Sequence, residues 1–525
     1  MRRSASTGCA EAVAQRRPLA GRVTGIIPER VGQRKRASRT ASFWLAVGVV
    51  ALGASLFRIA IARYSLWFDE QASMFFIEQP LARLWSGWII REPNPPLYYT
   101  LLKCWVFLFG NSERALRTLS ITAGAGGIVT TAIFTARSYG RQAGIIAAAL
   151  TAISAQQLYY ALQVRTYEVL YLASSCVLLS LVAIDRAMRA GRGWTGSLLV
   201  YIFGCIAGIY LHTTMFLLPV LCSLSVMIVR RRELAQRPKM LLPLAAANLT
   251  IAIAAAWWLG IAWHQTLAGV ANSAVFDQVT PWLVVRKSIG VLSFAKETGA
   301  IRTPIAVIVS LIVVYQVRRS WSDPETRLLV TVLVTSVAMF ALISLKFPIF
   351  LPRTLFWLSL VSTALCAAGL ASIERPLARC AVTGGLGLLV ALNMATSVTS
   401  RQTEDWNGAI RRAQSLPASR LIVQSEAMGL LLENACDRLN RGTCPVPIIA
   451  VTTPDDQLDR WSLGLCSCRL VPIDRVDSLP SGAYFVFRKE FYHDLLKTLH
   501  SHGQATRING DPPLLGPVDR SALIG

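Results

Sequence analysis

Histidine is scarce in this chain, with five residues in 525. So thin a supply argues against a His-based metal centre and against a Ser-His-Asp triad. Charge is scarce as well. Asp, Glu, Lys and Arg make up 16% of the residues, hydrophobic types make up 53%, and mean hydropathy is +0.46. A soluble globular domain carries more charge than this, and the balance points to a polytopic membrane protein. Acids are the rarest charges, 29 against 53 basic residues, for a net charge of +24. That excess does not read as nucleic-acid binding, because there is no zinc-finger spacing and no basic helix with interleaved aromatics. There is also no P-loop and no Gly-rich nucleotide fingerprint, so neither ATP nor a soluble nucleotide-sugar is indicated. A cleaved secretory signal is not expected either, since the first apolar run is too long and too far in.

What the chain does have is long apolar runs. A membrane helix needs roughly 20 such residues. Spans are expected at 43–62, 119–136, 142–162, 169–184, 194–211, 213–229, 240–263, 303–317, 328–345, 354–373 and 380–397. As one helix, 194–229 would be about 54 Å long at 1.5 Å per residue, so it must fold back, most simply at His212-Thr213-Thr214. Basic residues cluster in "RSYGR", "DRAMRAGRG", "RRRELAQRPK", "VRRSWSDPETR" and "SIERPLAR", which fall in alternate loops. By the positive-inside rule these loops and the Arg-rich N-terminus are cytoplasmic. The intervening loops, with Asp69-Glu70, "QVRTYE", His212, 264–302 and "KFPIFLPR", then lie outside. This order requires 95–110 to be a re-entrant or interfacial helix, which suits its Pro-Pro start and Lys103. Residues 72–90 have helical apolar spacing with Trp85 and Trp88, which suits a helix in the interface.

The expected fold is therefore a polytopic α-helical membrane protein of about eleven spans, with interfacial helices in the first outer loop. Residues 1–42 read as a disordered basic cytoplasmic tail and 43–400 as the transmembrane domain. Residues 401–525 read as a small outer α/β domain, because strand-like runs ("SRLIVQS", "PVPIIAV", "GAYFVF") alternate with helical ones ("EAMGLLLENACDRLNR", "KEFYHDLLKTLHSH"). Six cysteines lie in or beside apolar segments as small hydrophobes. Cys436, Cys444, Cys466 and Cys468 lie in the outer domain, where disulfides, free thiols and a less favoured metal site are the alternatives; the spacing fixes no pairing.

Charged residues that lipid should exclude collect on the outer side. Asp69 and Glu70 either cap the helix that follows them or serve a membrane-embedded site as its base. Glu92 and Asn94 either belong to a plain turn before Pro95-Pro96 or edge the same cavity. Arg165 and Tyr167, with Lys346 and Arg353, either snorkel to head groups or clamp a phosphate. His212 reads as a turn residue.

The order "WFDE", "NPPLYYTLLKCWVFLFGNSERALRTLS", "QQLYYALQVRTYEVLYLAS", "YLHTTMF", "FPIFLPRTLFWLSL" resembles the GT-C membrane glycosyltransferases of the protein-mannosyltransferase (family 39) and aminoarabinose-transferase type, over roughly residues 43–375. Asn94 stands where that family often has His, and Thr354 where it has Tyr. The resemblance implies inverting transfer of a sugar from a polyprenyl-phosphate donor to a glycan, lipid or protein acceptor, at the outer face of a bacterial inner membrane. It implies Asp69 as the base, Glu70 as the adjacent acid that orients the site, and Arg165, Tyr167 and Arg353 on the donor. It names no cofactor or metal ligand, and a divalent cation is compatible with it. A transporter or flippase of lipid-linked sugars and a non-catalytic assembly protein are the alternative classes. The first of these predicts internal repeats, and no clear repeat is seen.

Overall fold

The computed structural model describes residues 26–191, 193–267, 279–295, 301–347, 349–399, 404–416, 420–452, 465–472, 484–486, 507–508 and 514–515. The chain falls into two compact units, Met1–Ala46 and Val47–Gly525. Helix α1 (Ile26–Ile61) begins within the segment expected as a tail, and residues 1–25 of that expectation lie outside the described residues.

Three short pieces follow: α2 (Phe68–Glu78), α3 (Leu81–Leu84) and a 3-10 turn over Gly87–Arg91. The single interfacial helix expected over 72–90 is thus broken, first at Gln79-Pro80, where the chain turns extended and proline removes a donor. Helix α4 (Leu97–Phe109) has 13 residues, short of a span. The bundle continues with α5 (Glu113–Tyr139), α6 (Arg141–Ile153), α7 (Ala155–Ala161), α8 (Tyr167–Ala190), α9 (Thr195–Leu211), α10 (Leu217–Gln236), α11 (Leu242–Leu267), α12 (Pro281–Leu292), α13 (Arg302–Arg319), α14 (Pro324–Ile343), α15 (Pro352–Leu355), α16 (Ser359–Ala371) and α17 (Pro376–Thr399).

Among the described residues, eight helices are long and apolar enough to cross a membrane, and Leu97–Phe109, Arg141–Ile153 and Thr195–Leu211 are shorter apolar helices. Large apolar side chains such as Phe107, Phe203, Ile253, Leu311 and Leu388 stand exposed, as a lipid-facing surface requires. The chain is an integral membrane protein. Each expected span has helix at its position, but the helices at 142–162, 194–211 and 303–317 are not among these eight. The expected span 142–162 breaks at Ser154, which is extended. Its hydroxyl donates to Phe294 O (3.0 Å) and accepts the Gln157 N–H (3.3 Å), so a tertiary partner replaces the helical bond. The fold-back between 194 and 229 falls at His212, which separates α9 from a 3-10 turn at Thr213–Phe216.

The two ends of the bundle differ in chemistry. Where α5, α8 and α10 finish and α14 starts, buried Asp185 holds Arg230 (2.7 Å) and Arg189 (3.3 Å), while Glu325 holds Arg186 and Arg189. The C-terminal region packs at the other end, where α2 lies. It contains α18 (Trp406–Gln414), β1 (Leu421–Gln424), α19 (Glu426–Asn440), β2 (Ile448–Thr452), β3 (Arg469–Pro472), β4 (Tyr484–Val486), β5 (Arg507–Ile508) and β6 (Leu514–Leu515). The sheet order is β3-β2-β1-β4-β6-β5, parallel through β4 and antiparallel beyond it. Buried β1 and β2 with α19 on one face form the α/β layer that the sequence pattern predicts. Cys436 pairs with Cys444, and Cys466 with Cys468. The helical pattern "KEFYHDLLKTLHSH" lies outside the described residues.

Candidate active site

Helix α2 opens on an indole. Trp67 at its N-cap has no oxygen to offer the exposed N–H groups of the first turn, so other side chains take that part. Glu70 reaches back to the Trp67 N–H (3.2 Å). The same oxygen accepts from Arg117 (2.8 Å), and its second oxygen accepts the Val164 N–H (2.7 Å). Glu70 and Arg117 have side-chain exposures of 0% and 1%, so this is a desolvated ion pair with every oxygen engaged. Arg117 also donates to the carbonyls of Leu162 (3.0 Å), Tyr64 (2.6 Å) and Ser65 (3.1 Å). Ser73 and Ser120 hold the same turn through Val164 O (3.1 Å) and Gln163 O (2.6 Å). The 162–166 turn is thereby fixed against α2 by backbone bonds on both sides.

That bracing sets Arg165 beside Asp69. The guanidinium donates to the Asp69 carbonyl (3.2 Å), and a second nitrogen stands 3.9 Å from the Asp69 carboxylate. Asp69 is a quarter exposed where Glu70 is fully covered, so the two adjacent acids have opposite surroundings. Arg353, in the first turn of α15, lies within electrostatic range of Tyr167, Asp69, Arg165 and Tyr160. Tyr167 is buried with its ring 5.0 Å from Tyr160, which in turn lies 4.4 Å from Phe356. Asp69, the Arg165–Tyr167 pair and Arg353 therefore come to one area from three stretches of the chain.

Glu92 and Asn94 stand one layer behind. The buried Glu92 carboxylate accepts from the Asn94 side chain, from the Asn94 N–H (3.1 Å) and from Tyr99 OH (2.8 Å). Burial pushes its carboxyl up, and Arg165 with these hydrogen bonds opposes that. Gln265 closes the turn through Glu92 O (2.7 Å) and Ile90 O (3.0 Å). Lys346 is not part of the cluster. It is exposed, and its ammonium lies 5.7 Å from the ring of its neighbour Phe347.

His212 joins the wall of the site. Its Nδ1 accepts from Thr214 N–H (3.3 Å) and faces the Thr214 hydroxyl (2.9 Å), which leaves the ring proton on Nε2. The residues on either side are tied in. Thr166 donates to Leu211 O (3.1 Å), and Thr213 donates to Pro93 O (3.3 Å). Burial first, then Arg353 and Arg165, pushes the His212 pKa down to about 3. Because the folded value lies below the unfolded one near 6.5, the unfolded chain binds the proton first as pH falls. Stability is expected to drop from about pH 6.5 toward pH 3, by roughly 2–3 kcal/mol at pH 4.5. His212→Gln should flatten that slope in thermal unfolding of the detergent-solubilised protein; an unchanged slope assigns it to other groups.

The sequence pattern did not single out Arg117, Ser73 or Ser120. The one signal was an arginine inside the first turns of a helix that otherwise reads as apolar. Among the described residues, no three His, Cys, Asp or Glu side chains gather as a metal site.

Residues 93–258 match the family model of dolichyl-phosphate-mannose-protein mannosyltransferases. The fold is similar to crystal structures of ArnT from Cupriavidus metallidurans, bound to undecaprenyl phosphate and in the apo state. Each has a TM-score of 0.58 at 13% identity. The first alignment covers 90% of this chain and 97% of that one, the second 91% and 98%. The Archaeoglobus fulgidus oligosaccharyltransferase tethered to an acceptor peptide aligns at a TM-score of 0.48 and 11% identity, over 74% of this chain and 63% of that one. Among curated proteins none matches the sequence significantly. The family segment runs from the Pro-Pro turn into α11, and the fold around it is similar to that of ArnT.

Proposed function

We propose that the protein transfers a sugar from a polyprenyl-phosphate donor to a glycan, lipid or protein acceptor, with inversion, at the outer face of a bacterial inner membrane. The observation that carries this reading is the contrast between the two acids. Glu70 is consumed by Arg117 and two backbone N–H groups, while Asp69 keeps a partly open carboxylate beside Arg165. In the reaction, the acceptor oxygen attacks the anomeric carbon, its proton passes to Asp69, and the bond from that carbon to the phosphate oxygen breaks. The departing lipid phosphate gathers negative charge, which Arg165 and Arg353 stabilise. Tyr167 lines the donor side, and Glu92 with Asn94 holds the turn that faces Arg165. The relative captured with undecaprenyl phosphate supports a donor of this class. The test is Asp69→Asn. It is expected to abolish the product while the purified protein still binds undecaprenyl monophosphate, used as the probe.

The orientation belongs to the same proposal. Its support is the separation of the Arg-rich end, at Arg186, Arg189 and Arg230, from the end where the α/β region meets α2. Reporter fusions at Arg231 and at the C-terminus should land on opposite sides of the membrane. Finding both on one side removes the assignment of the site to the outer face.

A further inference from the structure

The first turn of α2 lacks a capping side chain at its own N-cap, and two glutamates supply what Trp67 cannot. Glu70 takes the Trp67 N–H from within the helix. The Phe68 N–H is taken by Glu404, 336 residues away, at 2.9 Å. The same Glu404 oxygen accepts the Trp406 indole N–H at 2.8 Å, and Trp406 is buried at the start of α18. Neighbouring contacts converge on the same small area. The Asn407 N–H donates to Ser65 Oγ (3.2 Å) and its amide donates to Glu113 (2.6 Å). Arg438 of α19 donates to Gln71. The C-terminal region therefore grips residues 65–71, the segment that aims Asp69.

We propose that Glu404 is a positioning residue for the transfer reaction: by capping the Phe68 N–H it fixes the first turn of α2 and so couples docking of the C-terminal α/β region to the aim of Asp69. Asp69 directly follows the capped residue, so rotation of that first turn moves its carboxylate relative to Arg165. The carboxylate also sits at the positive end of the helix, where an acceptor bond and a negative charge both stabilise the turn. The donor-phosphate side has supports besides this bond, since Ser120 and Arg117 of α5 hold the 162–166 turn through Gln163 O and Leu162 O, and Arg353 stands on α15. Loss of the cap should therefore impair turnover and spare donor binding.

This inference rests on the glycosyltransferase reading, and the experiment separates the two. Full-length variants are expressed in cells lacking the wild-type protein. The envelope glycan product is quantified by mass spectrometry, and undecaprenyl monophosphate binding is measured on the purified protein. Glu404→Ala should lower product about ten- to a hundredfold, the size of effect that small misplacement of a reacting group produces. Phosphate binding should stay within about twofold, because Arg165 and Arg353 are untouched. Glu404→Gln keeps an acceptor oxygen for the Phe68 N–H and should restore most of the product. Trp406→Phe removes only the second bond and should stay near wild type. Should the alanine variant accumulate poorly, Glu404→Asp withdraws the carboxylate by one methylene while keeping its charge, and product should still fall. Wild-type product from Glu404→Ala or Glu404→Asp overturns the proposal. So does a parallel loss of product and phosphate binding, which marks a general structural role. If Asp69→Asn is inactive and Glu404→Ala is fully active, only this inference fails; if Asp69→Asn is fully active, the glycosyltransferase assignment of the base fails first.

Discussion

Asp69→Asn is expected to lower transfer by about 10²–10⁴-fold, the range that a positioned general base contributes. The amide has nearly the same shape and keeps an oxygen toward Arg165, so the fold should survive. Asp69 makes no buried ion pair of the kind that Glu70 makes; its carboxylate stands 3.9 Å from Arg165 and is a quarter exposed. Unfolding should therefore shift little, because a partly exposed pair at that separation contributes about 0–1 kcal/mol. The informative outcome is the split between functions. Product should vanish while undecaprenyl monophosphate still binds, because the cationic side is intact. An Asn variant with wild-type turnover would remove Asp69 as the base.

The neighbouring acid should respond in the opposite way. Glu70→Gln leaves the Arg117 guanidinium buried with no counter-charge, and breaking a buried pair from one side costs about 3–5 kcal/mol. Arg117 ties together Tyr64, Ser65, Leu162 and Glu70, so the loss should also loosen the turn that carries Arg165. Chemical unfolding in detergent should show a clear destabilisation, with activity falling as a consequence. Measuring Glu70→Gln, Arg117→Met and the double variant gives the coupling between them, which should be large for partners in direct contact. A Glu70→Gln protein of wild-type stability that had lost its activity would make Glu70 a catalytic group rather than a brace.

These two predictions differ because of packing, and packing was only partly written in the primary structure. "SLWFDEQASMFF" shows two acids at the start of an amphipathic helix and nothing that separates them. Helical periodicity puts Asp69 and Glu70 about 100° apart around α2. Which of them faces the bundle depends on Arg117 and the 162–166 turn, which lie some 50 and 95 positions away along the chain. Lys346 shows the converse. It lies near Arg353 in sequence, in a loop of the same sign, yet it stays exposed while Arg353 lies within electrostatic range of Asp69.

Elements fared according to how local their causes are. Long apolar runs became helices because hydrophobic length and backbone hydrogen bonding are properties of the segment itself. The break at Ser154 was invisible because its hydrogen-bond partner is Phe294. The interfacial stretch split where Gln79 turns extended before Pro80, a local signal that the apolar spacing masked. In the C-terminal region, strands β1, β2 and β4 follow their apolar runs. Two-residue β5 and β6 exist only because they pair with each other and with β4.

The sequence by itself determined that this is a polytopic membrane protein with a small α/β region after it. It also determined where the apolar helices fall and which few charged residues are costly to place beside them, because transfer of each segment from water to lipid is nearly additive along the chain. Only the tertiary structure decided which acid is open and which is paired, that Arg165 stands beside the open one with Arg353 in electrostatic range, and that Glu404 caps the helix carrying it. Those depend on hydrogen bonds between distant segments, whose geometry is set when the helices pack and is not encoded in any one of them.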